Sequence, residues 1–319
     1  MKKLEEYLKL TQEELFDKLR EIHKDNTKSI RKNGYLLIQG EAPIMLIAHL
    51  DTVHTENVKH ICVSEDKNIL MSPQGIGGDD RCGVYALEKI YTKSKIKPWL
   101  LYTCDEEIGG KGASLFCEEY KKNKLPNGLN KLKMIVEIDR KGCDEAVYYQ
   151  CGNTEFEKYI TSNGFNTKTG SFSDISIIAP VLKIAAVNIS AGYYDAHTQG
   201  EYINRKHLET TIKKVIKIVR HTTSSDSPKY EYIQKPNSYQ TYYNYIPNGT
   251  SSRNYIPKGV PKKYRELYKI LLEVYSADEL EYYRNIVGDH ILEELYDDLI
   301  ESNLIESNLI ESNLIESNQ

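Results

Sequence analysis

No two cysteines of this chain stand at the Cys-x-x-Cys spacing of redox and structural zinc sites, and the six present (62, 82, 104, 117, 143 and 151) form no dense framework. That excludes a disulfide-stapled secreted scaffold and fits a reducing compartment, so a cytoplasmic location is expected. No apolar run approaches the roughly 18–20 residues that a membrane-spanning helix requires. The opening Met1-Lys2-Lys3-Leu4-Glu5-Glu6 carries charge where a secretory signal would carry an apolar segment, so neither export nor a membrane is expected. Lysines and arginines are scattered rather than gathered into a patch, and the formal net charge is only −4, which leaves no footprint for nucleic acid. What remains is a chain of 319 residues, able to bury a sizeable core as one large domain with an appendage, with no sign of its subunit number.

Periodicity supplies the organisation. Leu4, Tyr7, Leu8, Leu15, Leu19 and Ile22 predict one amphipathic helix over 3–24. Short apolar runs at 35–38, 44–48, 99–102, 134–136 and 184–189 read as strands. Helical patterns follow Asp80, span about 112–120, and close the unit over 204–221 through Leu208, Ile212, Val215, Ile216 and Val219. Strands alternating with helices predict an α/β fold, a three-layer α/β/α arrangement around a mixed, largely parallel central sheet. Right-handed crossovers would bring the strand ends to one edge of that sheet, where sites in such folds sit.

Composition changes at Thr222-Thr223-Ser224-Ser225-Asp226-Ser227-Pro228, which sets the expected boundary of the catalytic domain at 1–225. Residues 226–261 are rich in tyrosine and asparagine, repeat Asn-Tyr-Ile-Pro at 244–247 and 254–257, and read as a linker. Two short helices are expected within 262–300, around Leu267, Ile270, Leu271 and Val274 and then Ile291, Leu292 and Leu295. The Leu-Ile-Glu-Ser-Asn repeat of 301–319 has a five-residue period that matches neither helix nor strand, and reads as a low-complexity tail.

Five polar segments recur in one order, most of them directly after an apolar run: His49-Leu50-Asp51-Thr52, Gly77-Gly78-Asp79-Asp80-Arg81, Asp105-Glu106-Glu107, Glu137-Ile138-Asp139 and Ala196-His197-Thr198. Imidazoles and carboxylates converging from several strand ends are what a pair of divalent metals needs. A metal-bound histidine gives its second ring nitrogen to an acceptor, and Asp51 suits that role for His49. Asp79 stands in a glycine-rich turn that opens a helix, and fits either a metal ligand or an N-cap. At a strand end the adjacent Glu106 and Glu107 diverge, so one can ligate while the other faces a water as general base; a solvated acidic turn is the other reading. A carboxylate ending an apolar run, as Asp139 does, is costly unless paired or metal-bound. Cys82 and Cys104 fit either ligation or core filling. Ser173-Asp174 fits either a place near the site or a helix N-cap.

From Ile44 to Ile203 these segments, in order, spacing and flanking residues, resemble the dinuclear zinc exopeptidases and amidohydrolases that include peptidase T and related aminopeptidases. The resemblance implies two divalent ions, zinc or else cobalt or manganese, with Asp79 bridging them. It implies His49 and Asp139 on one ion, Glu107 and His197 on the other, Glu106 as general base, and Asp51 as the partner of His49. It also implies a cis peptide after the bridging aspartate, here Asp79–Asp80. Relatives carry a lid of about a hundred residues in one of two intervals, both too short here, so a minimal catalytic domain without lid-borne contacts is expected. Arg81 stands where many relatives have lysine and could hold nearby carboxylates; Tyr193 and Tyr194 are candidate hydrogen-bond donors beside His197.

The expected activity is an exopeptidase, an aminopeptidase first, acting on a peptide with metal-assisted hydrolysis. An N-acyl amino acid amidohydrolase or a carboxypeptidase with the same centre is the nearest alternative. An inactive binding or scaffold protein working through its tail is the alternative of another class.

Overall fold

The computed structural model describes residues 2–170, 172–235, 256, 260–272, 280, 284, 292, 293 and 295. The chain divides into two compact units, Met1–Pro236 and Asn237–Gln319. In the first unit the strands are β1 (Thr27–Arg31), β2 (Tyr35–Ile38), β3 (Ile44–His49), β4 (Cys62–Val63), β5 (Ile69–Met71), β6 (Trp99–Thr103), β7 (Met134–Arg140), β8 (Glu145–Val147), β9 (Asn166–Lys168), β10 (Ala186–Ser190), β11 (Tyr193–Tyr194) and β12 (Tyr202–Asn204). Its helices are α1 (Lys2–Tyr7), α2 (Gln12–Ile22), α3 (Gly78–Lys93), α4 (Lys111–Lys121), α5 (Thr154–Ser162), α6 (Asp174–Leu182) and α7 (Arg205–Thr222).

Eight strands form one sheet in the order β1-β2-β6-β3-β7-β10-β8-β9, and β11-β12-β5-β4 form a small second sheet. The four central strands β6, β3, β7 and β10 are mutually parallel, while β2 and β8 join them antiparallel. Successive side chains of a strand point to opposite faces, and both faces here are apolar. Thus Ile44, Leu46 and Ala48 of β3, with Leu100 and Tyr102 of β6, join the core beneath α3 and α7. Met45 and Ile47, with Trp99 and Leu101, join a separate core beneath α4 and α6. Helices on both faces of a mixed, largely parallel sheet make the three-layer α/β/α fold that the alternation predicts.

Three expectations change. The single helix over 3–24 is two, because Thr11 opens α2 with a capping box in which its hydroxyl takes the Glu14 N–H and the Glu14 carboxylate takes the Thr11 N–H. Period alone does not register such a break. The first unit also continues past residue 225: Tyr230 accepts from the Ala185 N–H and donates to the Lys133 carbonyl, and Ile184 and Cys151 form bridges with Glu231 and Gln234. Residues 230–235 therefore line the sheet rather than belong to a linker. Arg81, finally, is buried and donates to the carbonyls of Leu50, Asp51 and Leu10 instead of holding carboxylates.

In the second unit a 3-10 turn (Lys262–Tyr264) leads into α8 (Arg265–Leu271), and Val260, Tyr264, Tyr268, Leu271, Leu280 and Leu292 form a core of their own. The Asn-Tyr-Ile-Pro repeats, apart from Ile256, and the 301–319 repeat lie outside the described residues. Among the described residues no helix is long and apolar enough to cross a membrane. The six cysteines are free, with Cys82 and Cys104 buried in the core, where small thiols pack.

Candidate metal centre

All the predicted site residues meet at the carboxyl ends of the parallel strands. His49 is the last residue of β3 and is buried. Its Nδ1 lies 3.1 Å from Asp51 Oδ1, while Nε2 lies 3.1 Å from Asp79 Oδ1 and 3.4 Å from Asp139 Oδ1. Asp139 comes from the end of β7. Its Oδ1 accepts from the Tyr193 hydroxyl at 3.2 Å, and Asn188 of β10 donates to Oδ2 at 3.2 Å and accepts the Asp139 N–H at 3.0 Å. His197, in the left-handed region with φ 64°, places Nε2 3.2 Å from Asp79 Oδ2 and 3.3 Å from Glu107 Oε2. Asp79 thus has one carboxylate oxygen against each imidazole.

Two devices shape this convergence. Asp51 accepts the backbone N–H of Glu106 at 3.1 Å and of Glu107 at 3.0 Å, so one carboxylate locks the His49 ring and the acidic turn after β6 together. The turn is held from its other side by Gln12, the first residue of α2, which donates to Asp105 Oδ1 at 2.9 Å and accepts the Asp105 N–H at 3.0 Å. The second device is the start of α3, where Asp79 and Asp80 have non-helical backbone angles and the peptide between them is cis. Asp79 is therefore not an N-cap, a place taken by Gly77, and its side chain turns into the cluster.

The electrostatics are those of an acid-rich pocket. Burial raises Glu106 to about 9, Glu107 to about 7 and Asp139 to about 6, and neighbouring carboxylates add to each shift. The hydrogen bond to Asp79 lifts His197 to about 9. Burial opposes charge on His49, but Asp139, Asp51 and Asp79 outweigh it and raise its pKa. Burial likewise opposes ionisation of Asp79, but the two histidines draw it below the usual carboxylate range.

This donor set fits a divalent cation. The imidazole-to-carboxylate separations of 3.1–3.4 Å match the roughly 3.3 Å between ligands of a tetrahedral ion with bonds of about 2.0–2.1 Å. Donor atoms of His49, Asp79 and Glu107 lie within 4.8 Å of one another, as do those of His49, Asp80 and Asp139. Glu107 Oε1 is buried without a hydrogen-bond partner. A cation would satisfy that oxygen and stabilise the carboxylates that burial otherwise protonates.

Several participants were not singled out by the sequence reading. Asp80 Oδ1 accepts the Gly83 N–H at 2.8 Å while Oδ2 is buried without a partner, and burial raises its pKa well above the ordinary value. Beneath Asp139 lies a polar layer: the Ser173 hydroxyl donates to Glu137, Thr103 donates to Asp174, and Asn188 donates to Ser173 Oγ at 3.3 Å. Ser173-Asp174 is thus turned into this layer and makes no side-chain cap for α6. The two-residue alternation of β7 does place Glu137 on the face of Asp139, a signal that could have found it. Glu201, fully buried, and His54 have no such signal. Tyr194 hydrogen-bonds His207 and stacks on Tyr202, so of the tyrosine pair it is Tyr193 that reaches Asp139. A cavity of about 260 Å³ adjoins Asp51, Thr52, His54 and Gly77, while Glu106, Glu107 and His197 do not line it.

No family model matches the chain, and no curated protein matches it in sequence. Solved structures do match. The aminopeptidase PepT of Bacillus cereus ATCC 10987 is similar with a TM-score of 0.54 at 14% identity, over 70% of this chain and 98% of that one. The TET1 peptidase of Pyrococcus horikoshii is similar with a TM-score of 0.52 at 14% identity, over 68% and 98%. A TET aminopeptidase from the marine sediment archaeon Thaumarchaeota archaeon SCGC AB-539-E09 gives 0.52 at 11% identity, over 69% and 97%. The likeness is one of fold.

Proposed function

We propose that this chain is a metal-dependent exopeptidase of the zinc exopeptidase kind, an aminopeptidase that hydrolyses the peptide bond next to a free terminus. The observation that carries the reading is Asp79 held between the His49 and His197 imidazoles, with Glu107 and Asp139 alongside and Glu106 in the same turn as Glu107. The fold shared with known aminopeptidases supports it. His49 and Asp139 would hold one divalent ion, Glu107 and His197 a second, and Asp79 both; zinc suits the mixed imidazole and carboxylate set, as do cobalt and manganese.

Bound metal supplies Lewis acidity toward the scissile carbonyl and lowers the pKa of the attacking water. Glu106 moves the proton. Its carboxylate takes a proton from the water as the water oxygen bonds to the carbonyl carbon, and returns it to the amine nitrogen as the C–N bond breaks. Burial brings the Glu106 pKa to about 9; a bound cation would favour its ionised form, the form that accepts a proton. Asp51 orients His49 through Nδ1 and anchors the Glu106 backbone.

The test is metal analysis of the purified protein paired with hydrolysis of unblocked aminoacyl and dipeptide substrates and their N-acylated counterparts. About two zinc-like ions per chain with chelator-sensitive cleavage of the unblocked set supports an aminopeptidase; cleavage of the blocked set alone makes it a deacylase or carboxypeptidase. Glu106→Gln should lower turnover by about 10²–10⁴-fold or more at unchanged metal content. Near-normal hydrolysis by that variant would remove Glu106 from the role of base.

A further inference from the structure

Asp79 touches both imidazoles, yet its own backbone lacks the support a helix normally gives. Its φ/ψ of −79°/104° and those of Asp80 are not helical, and Gly77 occupies the N-cap with no side-chain cap. The first N–H groups of a helix have no partner within it. Here Glu201 supplies one: its Oε1 accepts the Asp79 N–H at 2.8 Å, and its Oε2 accepts the Gly77 N–H at 3.1 Å. Oε2 also takes His54 Nε2–H at 2.7 Å. Glu201 is fully buried, so each donor meets the carboxylate without competing water.

The loop is packed closely against its surroundings at Gly75 and Gly78. A Cβ on Gly78 would lie 2.8 Å from Tyr193 Cβ, 2.9 Å from Ile203 Cγ1 and 3.1 Å from Glu201 Oε1. A Cβ on Gly75 would lie 2.2 Å from His54 Nδ1, so the His54 ring lies hard against the loop that Glu201 grips. Glu201 also shares a short connection with His197, closed by its own N–H donating to the Thr198 carbonyl at 3.2 Å. The segment that carries one imidazole thereby holds the backbone of the aspartate between the two.

We infer that Glu201, with His54 behind it, is the positioning residue of the metal centre: its carboxylate fixes the Gly77–Asp79 backbone so that the Asp79 side chain stands between His49 and His197 before metal arrives. This rests on the metal-centre reading above. An amide at 201 keeps one acceptor but presents an NH2 group where the carboxylate received a second donor, so at least one contact is lost. Outer partners of metal ligands are worth about 10–100-fold in affinity.

The experiment is zinc competition against a chromogenic chelator on the metal-free full-length chain, for wild type, Glu201→Gln and His54→Asn. It is read beside the visible spectrum of the cobalt-loaded protein and the melting temperature without metal. The expected result is zinc affinity lowered about 10–100-fold by Glu201→Gln and less by His54→Asn, with a shifted cobalt spectrum. A role confined to general stability would lower the melting temperature and leave both readouts at wild-type values in the folded variants. That result overturns the inference while the metal centre stands. If Glu201→Gln fails to fold, unchanged affinity and cobalt spectrum in His54→Asn overturn it equally. Wild type that takes up neither zinc nor cobalt overturns the metal-centre reading and this inference with it.

Discussion

Replacing Asp51 with asparagine tests how the centre is pre-organised. Asp51 receives three donors: His49 Nδ1 at 3.1 Å and the Glu106 N–H at 3.1 Å on Oδ1, and the Glu107 N–H at 3.0 Å on Oδ2. Asparagine has one accepting oxygen. With that oxygen at the Oδ1 position, its NH2 group faces the Glu107 N–H, and a buried donor left unpaired costs about 1–3 kcal/mol. The two bonds retained lose their charge assistance, which halves them and adds about 1 kcal/mol. Metal-free Asp51→Asn should therefore be about 2–4 kcal/mol less stable than wild type, a fall in melting temperature of about 5–15 °C for a unit of this size. With the amide turned the other way, the NH2 group meets His49 Nδ1 and favours the tautomer protonated on Nε2, the nitrogen facing Asp79 and Asp139. Either orientation weakens the metal site, by about 10–100-fold in zinc affinity. The same donors, acting against burial, hold Asp51 below the ordinary carboxylate range, so its stabilisation is present above the unfolded pKa and lost as pH falls through the folded one. Thermal melts and chelator competition on the variant provide the assay. Zinc affinity within about twofold of wild type, at an unchanged melting temperature, would refute the reasoning that Asp51 ties His49 to the acidic turn.

Other perturbations test separate parts of the account. Gly78→Ala forces a Cβ to 2.8 Å from Tyr193 Cβ, and should cost about 1–3 kcal/mol and lower zinc affinity, measured by urea titration and chelator competition. Glu88 is buried against His23 at 2.5 Å, Tyr102 at 2.8 Å and Lys3 at 3.1 Å; burial opposes its ionisation, but these partners hold its pKa below the ordinary 4.5. Its contribution is thus present above that value and fades as pH falls through the lower folded one, so Glu88→Gln should cost about 3 kcal/mol near neutrality and less in acid. Urea titrations across about pH 3–7 would count against this if the difference from wild type did not change with pH. A chain ending at Pro236 keeps every proposed ligand and should match full-length kcat/KM; loss of hydrolysis would show that residues 237–319 contribute to the site.

What the sequence revealed followed from local signals. Apolar runs bounded by polar segments marked β3, β6 and β7, because a strand buried on both faces must be continuously apolar. The candidate ligands were visible because each follows such a run or opens a helix. The Thr11 break was overlooked because Leu4, Tyr7, Leu15 and Leu19 keep helical spacing across it, although Thr11 and Glu14 carried the capping signature. Glu201 and His54 were out of reach for another reason. Glu201 meets Gly77 and Asp79 across more than a hundred residues, as does His54 with Glu201, and neither contact leaves a periodic trace. Asp80 was hidden by its neighbour, since only the folded, non-helical start of α3 brings donor atoms of both adjacent carboxylates within 4.8 Å of His49.

In this fold the strand ends are placed by the backbone rather than by the side chains that fill the cores. Adjacent strands sit about 4.8 Å apart by backbone hydrogen bonding alone. The ends of β6, β3, β7 and β10 are therefore spaced for convergent ligands whichever apolar residues fill the two cores. Ile47 could be exchanged for another apolar side chain of similar size at a cost below about 1.5 kcal/mol, with no effect on where His49 emerges. Two candidate ligands differ: His197 rises from the connection between β11 and β12, and Asp79 rises from the start of α3 rather than from a strand end. The placement of Asp79 cannot come from sheet geometry and has to be supplied by side chains, which is the part Glu201 and His54 are built to play. Substitutions at the strand ends should thus remove single ligands, whereas substitutions around Gly78 and Glu201 should displace the one carboxylate that lies against both imidazoles.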